Sequence, residues 1–145
     1  MQSLSIASII PYMELPSAPD AAPVHLRESG GKTTVIATLH SARCPGCQQY
    51  LGSLARLSPE FDVWDARLLV IVPAPMAEAR SLRMPFGKVL SDENECLADP
   101  ASASVLVIDR YGQIFDAARA GPSHELPSAR ELEEWLKYLG TLCPE

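Results

Sequence analysis

The chain contains few cysteines and no long hydrophobic run, and each of these absences excludes a class of protein. Four cysteines occur among the 145 residues, too few for a small fold held together by disulfide bonds. The apolar runs are far shorter than the about 20 residues that a membrane-spanning helix needs. Lysine and arginine total 12, are scattered along the chain and are outnumbered by 18 acidic residues. We therefore expect neither a membrane nor a nucleic acid among its partners.

The composition that remains predicts one folded domain. Hydrophobic residues make up 47% of the chain, enough to build a core, and the length suits a single domain over residues 1–145. Residues 14–23 contain three prolines and no periodicity, so we expect residues 1–22 to form an extended N-terminal lead-in. The first residues lack the basic segment and long apolar stretch of a signal peptide, and we expect a cytoplasmic protein.

Apolar, β-branched segments predict strands, and segments with helical spacing separate them. Strands are predicted at residues 24–27, 33–40, 68–72, 88–90, 104–109 and 113–117, with hairpin turns at 28–31 and 110–112. Helices are predicted from Cys44 to about Leu57, from Ser58, over residues 76–83, from Asp92, and from a capping box at Ser128 to a stop at Gly140. This alternation predicts an α/β fold with an N-terminal β-hairpin and a central mixed β-sheet, flanked by helices on both faces.

The most informative motif is Cys44-Pro45-Gly46-Cys47, which stands between a buried strand and a helix. At a helix start, unpaired backbone N–H groups and the helix dipole favour a thiolate, here at Cys44. Pro45 suits the first helical position, because its missing N–H group would have no partner there. Cys47 follows within one turn, close enough to form a disulfide with Cys44. The motif predicts a redox-active dithiol at the carboxyl end of a central strand, where the active sites of open α/β sheets usually lie.

Together with this motif, an ordered series of segments resembles the redoxin branch of the thioredoxin-like superfamily. The segments are Ala18-Pro19-Asp20 before a β-hairpin, Val89-Leu90-Ser91-Asp92, the Ile-Asp-x-x-Gly-x-Ile spacing of residues 108–114, and the last helix. The branch comprises the AhpC/TSA peroxiredoxins and the TlpA/ResA-type thiol–disulfide oxidoreductases, and the resemblance spans residues 17–140. It implies a thioredoxin-like fold and disulfide-exchange or antioxidant chemistry, with no cofactor beyond a redox-active Cys44–Cys47 disulfide.

Three positions depart from the pattern of that branch. Ala103 occupies the place of a cis-proline that shapes the substrate groove, Arg43 replaces a common tryptophan, and Thr38 replaces the acidic residue of thioredoxins. A peroxiredoxin motif, T-P-G-C, would align Cys47 with the peroxide-reactive cysteine. Cys44 would then replace the threonine, Pro45 would be kept, and His40 would stand where the peroxiredoxin motif has a further proline, four residues before the threonine. We therefore rank a thiol peroxidase second, behind a thiol–disulfide oxidoreductase.

The dithiol chemistry assigns a role to each cysteine of the motif. Cys44 is the predicted nucleophile, and Cys47 is the predicted resolving thiol that attacks the mixed disulfide. Arg43 and His40 are candidates for lowering the pKa of Cys44. A base for Cys47 is left open between His40, Glu95 and water. The expected partners are protein or small-molecule thiols and disulfides, or peroxide in the second hypothesis.

The remaining candidates have simpler interpretations. Cys96 and Cys143 are single cysteines, which we interpret as incidental, although either is also a candidate second resolving thiol or metal ligand. A four-cysteine zinc site usually shows a second close pair, so we expect no metal. Tyr50 lines the groove or packs in the core. A non-catalytic redoxin-fold module and a metal-binding module remain as further alternatives.

Overall fold

A seven-stranded mixed sheet forms the centre of the computed structural model, which describes residues 4–120 and 125–142. The strands are β1 (Glu14–Ser17), β2 (Ala22–His25), β3 (Thr33–Thr38), β4 (Ala66–Val72), β5 (Lys88–Ser91), β6 (Ser104–Ile108) and β7 (Ile114–Arg119). The helices are α1 (Pro45–Ala55), α2 (Ser58–Val63), α3 (Met76–Ala79) and α4 (Ala129–Gly140). The strand order is β2-β1-β5-β4-β3-β6-β7. The predicted α/β class with a central mixed sheet is confirmed.

Strand β3 lies inside the sheet and carries the cysteine loop at its end. All six of its residues are buried, as expected of a β-branched strand covered on both faces. It pairs in parallel with β4 and antiparallel with β6, where Thr38 lies opposite Ser104. The loop that follows Thr38 therefore starts at the carboxyl end of an interior strand, as predicted.

All four helices of residues 4–120 and 125–142 pack on one face of the sheet, which corrects the expected cover on both faces. The buried side chains of α1, α2, α3 and α4 share one apolar cluster with Val35, Leu68 and Val107. The second face has a cluster of its own around Ile36 and Leu106. Apolar residues of two irregular segments cover this face: the segment near Ile10 and the connection between β5 and β6.

The connection between β5 and β6 shows why no helix forms where we predicted one from Asp92. The Asp92 side chain is buried, and its carboxylate accepts backbone N–H groups from Cys96, Leu97 and Ala98 at 2.7–2.9 Å. A short acidic side chain that binds nearby amides in this way offers the backbone an alternative to helical hydrogen bonds. The segment folds as a turn that presents Leu97 and Ala98 to the second cluster.

The N-terminal β-hairpin exists, but it lies earlier in the chain than predicted. It consists of β1 and β2, so that residues 14–17 of the expected lead-in form a strand. Ala18-Pro19-Asp20 lies in its turn rather than before it, and Asp20 Oδ1 accepts the N–H of Ala22 at 3.2 Å. Residues 28–31 do not join two paired strands, since β2 is at the sheet edge and β3 in the interior. Burial of Leu15 and Val24 in the second cluster accounts for this pairing.

Two helix ends also differ from the prediction. Helix α3 ends at Ala79, four residues before the expected Arg83. Helix α4 begins as predicted, with the Ser128 Oγ accepting the N–H of Glu131 at 3.2 Å, but it includes Gly140. Gly140 is the last residue of the helix, and a Cβ atom there would lie 2.7 Å from the Trp64 ring, so this glycine permits close packing of two segments. None of the helices in the described part of the chain has the length and hydropathy needed to cross a membrane.

Candidate active site

Helix α1 begins directly after Cys44 and places this residue at its N-terminus. Cys44 has an extended backbone conformation, φ −72° and ψ 120°, and Pro45 starts the helix as predicted. The N–H of Gln48 donates to the Cys44 carbonyl at 3.0 Å, and the Gln48 side chain donates to the carbonyl of Ala42 at 3.1 Å. These bonds hold the loop against the first turn of the helix, so the Cys44 sulfur has a defined position.

The Cys44 sulfur is the more accessible of the pair, and its surroundings favour the thiolate. Cys44 is partly exposed, whereas Cys47 is buried. The backbone N–H of Cys47, directed at the Cys44 Sγ, lowers the pKa of Cys44, and the N–H of Gly46 adds to this effect. Amides at a helix start are effective partners for a sulfur anion because they have no partner within the helix. Cys44 thus has the properties of an attacking thiol.

Cys47 faces the interior and keeps its proton more firmly. Burial raises the pKa of Cys47, and the neighbouring Cys44 sulfur raises it further. The backbone amides of His40 and Ser41 point at the Cys47 Sγ and partly offset this effect. The imidazole Nδ1 of His40 lies 3.3 Å from the Cys47 Sγ, within hydrogen-bonding distance for sulfur. The two thiols of one helical turn therefore have opposite pKa shifts, and an imidazole is adjacent to the more basic one.

The lowered pKa of Cys44 predicts how its alkylation depends on pH. Only the thiolate reacts with iodoacetamide, and a lower pKa increases the thiolate fraction at any given pH. We expect Cys44 in the metal-free, reduced protein to reach half its maximal rate at a lower pH than the same cysteine does in the unfolded chain. Buried Cys47 should react more slowly throughout. Peptide mass spectrometry separates the two rates, and a Cys44 midpoint at or above that of the unfolded chain contradicts the assignment.

The other supporting candidates lie near the thiols without contacting them. The Arg43 side chain is 84% exposed, with its Nη2 4.0 Å from the Glu78 carboxylate. The groups that lower the pKa of Cys44 are the backbone N–H and the side chain of Cys47 and the N–H of Gly46, and Arg43 is not among them. Ala103 is buried just before β6, its peptide bond is trans, and its carbonyl accepts the N–H of Ala120. Thr38 bonds through its hydroxyl to Ser104, so no acidic group stands there.

The remaining candidates from the sequence are Tyr50, Glu95, Cys96 and Cys143. The Tyr50 hydroxyl donates to the carbonyl of Pro127 at 2.7 Å, which ties α1 to the segment before α4, and burial raises the pKa of Tyr50. Glu95 is exposed in the turn after β5, and Cys96, which is partly buried, follows it there. Cys143 lies outside the described residues. Of the two residues considered as a base for Cys47, His40 is the one that contacts its sulfur.

One contribution to the site was not predicted from the sequence. The backbone amides of His40 and Ser41 face the Cys47 sulfur. The loop before the motif therefore provides hydrogen-bond donors for the second thiol, as the start of the helix does for the first. Backbone amides carry no sequence pattern of their own. The only available indication was that the loop between the strand and the motif is short, with His40 four residues before Cys44.

Comparison with solved structures identifies the fold. AhpC of Mycobacterium tuberculosis superimposes with a TM-score of 0.77 at 18% sequence identity, over 97% of this chain and 96% of that one. Peroxiredoxin Q of Xanthomonas campestris gives 0.75 at 20% identity, over 89% and 92%. A putative thiol:disulfide interchange protein DsbE from Chlorobium tepidum gives 0.73 at 15% identity, over 95% and 99%. The chain has a thioredoxin-like fold.

This thioredoxin-like fold agrees with the resemblance found in the sequence. The similar structures include both peroxiredoxins and a thiol:disulfide interchange protein, the two groups of the redoxin branch. No family model matches the chain, and no curated protein matches its sequence. At identities of 15–20% the comparisons establish the fold, and the chemistry has to be argued from the cysteines themselves.

Proposed function

We propose that the chain is a thiol–disulfide oxidoreductase that cycles between a Cys44–Cys47 dithiol and the corresponding disulfide. The observation that carries this proposal is the asymmetry of the two thiols. One is accessible with a lowered pKa, the other is buried with a raised pKa, and the two sulfurs lie within 4.8 Å of each other. An accessible thiolate suits the attack on a substrate, and a protected thiol suits the later intramolecular step.

The proposed cycle has two exchange steps. The Cys44 thiolate attacks one sulfur of a substrate disulfide, forms a mixed disulfide with it and releases the other sulfur as a thiolate. Cys47 then loses its proton and attacks the Cys44 sulfur, which forms the Cys44–Cys47 disulfide and releases the second substrate thiolate. The substrate gains two electrons and the protein loses two. An external thiol returns the protein to the dithiol form.

His40 is the proposed proton acceptor in the second step. Its Nδ1 lies 3.3 Å from the Cys47 sulfur, and it must be unprotonated to accept the proton. Burial raises the pKa of Cys47, so this thiol needs such a partner to react at neutral pH. Thr38 cannot serve, because a hydroxyl is no base at that pH and its oxygen is engaged with Ser104.

The peroxidase hypothesis fits the same residues less well. Aligned with the peroxiredoxin motif, Cys47 would have to attack peroxide as a thiolate, yet Cys47 is buried and its pKa is raised. A peroxidase that used Cys44 would instead have an accessible nucleophile with a lowered pKa. A non-catalytic module would not need a cysteine with a lowered pKa. Disulfide exchange is thus the function that the arrangement supports best, with protein or small-molecule disulfides as substrates.

Equilibration in glutathione buffers tests the proposal. We expect a reversible disulfide between Cys44 and Cys47, with a reduction potential of about −120 to −270 mV, the range of catalytic dithiols. Alkylation followed by peptide mass spectrometry identifies the bonded cysteines. The reduced protein should also reduce insulin in the presence of a thiol. A disulfide that fails to form, or one that pairs Cys44 with Cys96, contradicts the proposal. Rapid peroxide consumption without insulin reduction supports the peroxidase instead.

A further inference from the structure

The cysteine pair and His40, which the proposed dithiol cycle already uses, also have the composition and the spacing of a metal site. The Nδ1 or Nε2 atom of His40 and the Sγ atoms of Cys44 and Cys47 all lie within 4.8 Å of one another. We propose that the reduced protein binds one Zn²⁺ ion through His40, Cys44 and Cys47, with the fourth position open to solvent. Two thiolates and an imidazole are ligands that zinc prefers, and this set with an open position is known in zinc sites.

The separation of His40 and Cys47 is close to that of two ligands in a tetrahedral zinc site. At the tetrahedral angle, zinc bonds of about 2.3 Å to sulfur and about 2.0 Å to nitrogen hold a sulfur and a nitrogen about 3.5 Å apart. The His40 Nδ1 and the Cys47 Sγ are 3.3 Å apart, without any ion between them. Small side-chain rotations would complete the site, because Cys44 and His40 are both partly exposed and have room to move.

The charges around the cluster also suit a divalent cation. Two thiolates balance the charge of Zn²⁺, and binding releases their two protons without any oxidant or reductant. The amides of Gly46 and Cys47 point at one sulfur, and those of His40 and Ser41 at the other. Hydrogen bonds of this kind orient and stabilise metal-bound ligands. Arg43, the nearest positive charge in sequence, turns outward toward Glu78.

This proposal differs from the expectation of no metal, which rested on the sequence. There the pair could be completed only by Cys96 or Cys143, and no second close pair was found. The structure brings His40, from the loop that leads into the motif, next to the two cysteines, while Cys96 lies outside the cluster. Zinc and disulfide formation should exclude each other, because both use the Cys44 and Cys47 sulfurs.

Zinc titration of the reduced protein against a chromophoric chelator tests the site. We expect one Zn²⁺ per chain in the reduced protein and none once the Cys44–Cys47 disulfide has formed. His40→Ala should lower the affinity at least about 100-fold while both thiols remain, because a direct ligand is lost. His40→Gln serves as a second variant if the alanine variant is unstable. With Co²⁺ in place of zinc, sulfur-to-metal charge-transfer bands should appear. They should weaken in Cys47→Ser, which keeps one thiolate, and disappear in the double variant Cys44→Ser, Cys47→Ser.

The matched controls are Cys96→Ser and His25→Asn. Both residues are outside the cluster, and asparagine can still accept the backbone N–H that His25 Nδ1 accepts from Arg27. Both variants should bind zinc as the unmodified protein does. Equal affinity in His40→Ala, or no zinc bound by the reduced protein, overturns the proposal. The glutathione equilibrium is measured without zinc, so disulfide exchange and zinc binding can fail independently.

Discussion

Replacing Cys44 by serine should reduce the rate of insulin reduction by about a thousandfold or more, to the background of the added thiol. Loss of the nucleophile removes the covalent route itself, and such losses are typically of this size. The fold should be unaffected, because Cys44 is partly exposed at the margin of the core and serine is close to it in size. The measurement is the initial rate of insulin reduction with the added thiol held constant.

Cys96→Ser is the matched control for this experiment. Cys96 is a free, partly buried cysteine outside the cluster. Its replacement therefore tests whether the loss of any cysteine lowers the rate of insulin reduction. We expect the Cys96→Ser variant to keep the rate of the unmodified protein. If Cys44→Ser retains most of the activity while Cys47→Ser loses it, Cys47 is the nucleophile. The peroxiredoxin-like alignment of the motif would then be favoured, and peroxide consumption becomes the relevant assay.

Replacing Cys47 by serine should stop the cycle after its first step and trap the substrate on Cys44. The accessible thiolate of Cys44 can still attack, but a serine hydroxyl at residue 47 cannot resolve the mixed disulfide. We expect a covalent adduct with glutathione, one per chain, to accumulate when the reduced variant is mixed with oxidised glutathione. The unmodified protein should show such an adduct only transiently. Intact-protein mass spectrometry measures both outcomes.

The double variant Cys44→Ser, Cys47→Ser is the control for the trap and should form no adduct at this site. Multiple turnover by Cys47→Ser at the unmodified rate contradicts the resolving role, since another thiol would then complete the cycle. An adduct on Cys96 rather than Cys44 contradicts the assignment of the nucleophile. A rate of adduct formation that is unchanged by the replacement shows that the first step needs Cys44 alone.

Much of the local structure could be predicted from the sequence because its causes lie within a few residues. The run Thr33–Thr38 is β-branched and apolar, and it forms a strand in any context that buries both faces. Ser128 caps α4 through a bond to the N–H of Glu131, three residues away. Pro45 starts α1 for an equally local reason. The start or the type of each of these elements therefore depends little on the conformation of the rest of the chain.

The wrong predictions concern segments whose conformation depends on distant partners. The N-terminal hairpin was placed at residues 24–40 because strand 33–40 follows a turn-like sequence, yet β3 is buried between β4 and β6. The polar segment after Asp92 has a helix-like composition, but its carboxylate binds three backbone amides and the segment covers the second face of the sheet. No local sequence pattern predicts which face of the sheet is covered by irregular segments instead of helices.

For the site, the sequence by itself determined that two cysteines stand at the start of a helix after a buried strand. This places a thiolate-favouring environment at Cys44 for reasons of helix geometry alone. Only the tertiary structure decided that Cys47 is buried, that the imidazole of His40 contacts its sulfur, and that Arg43 turns away. These features depend on the path of the loop after β3. Burial of Ala42 in the apolar cluster between the helices and the sheet holds that path, and such packing involves residues far apart in sequence.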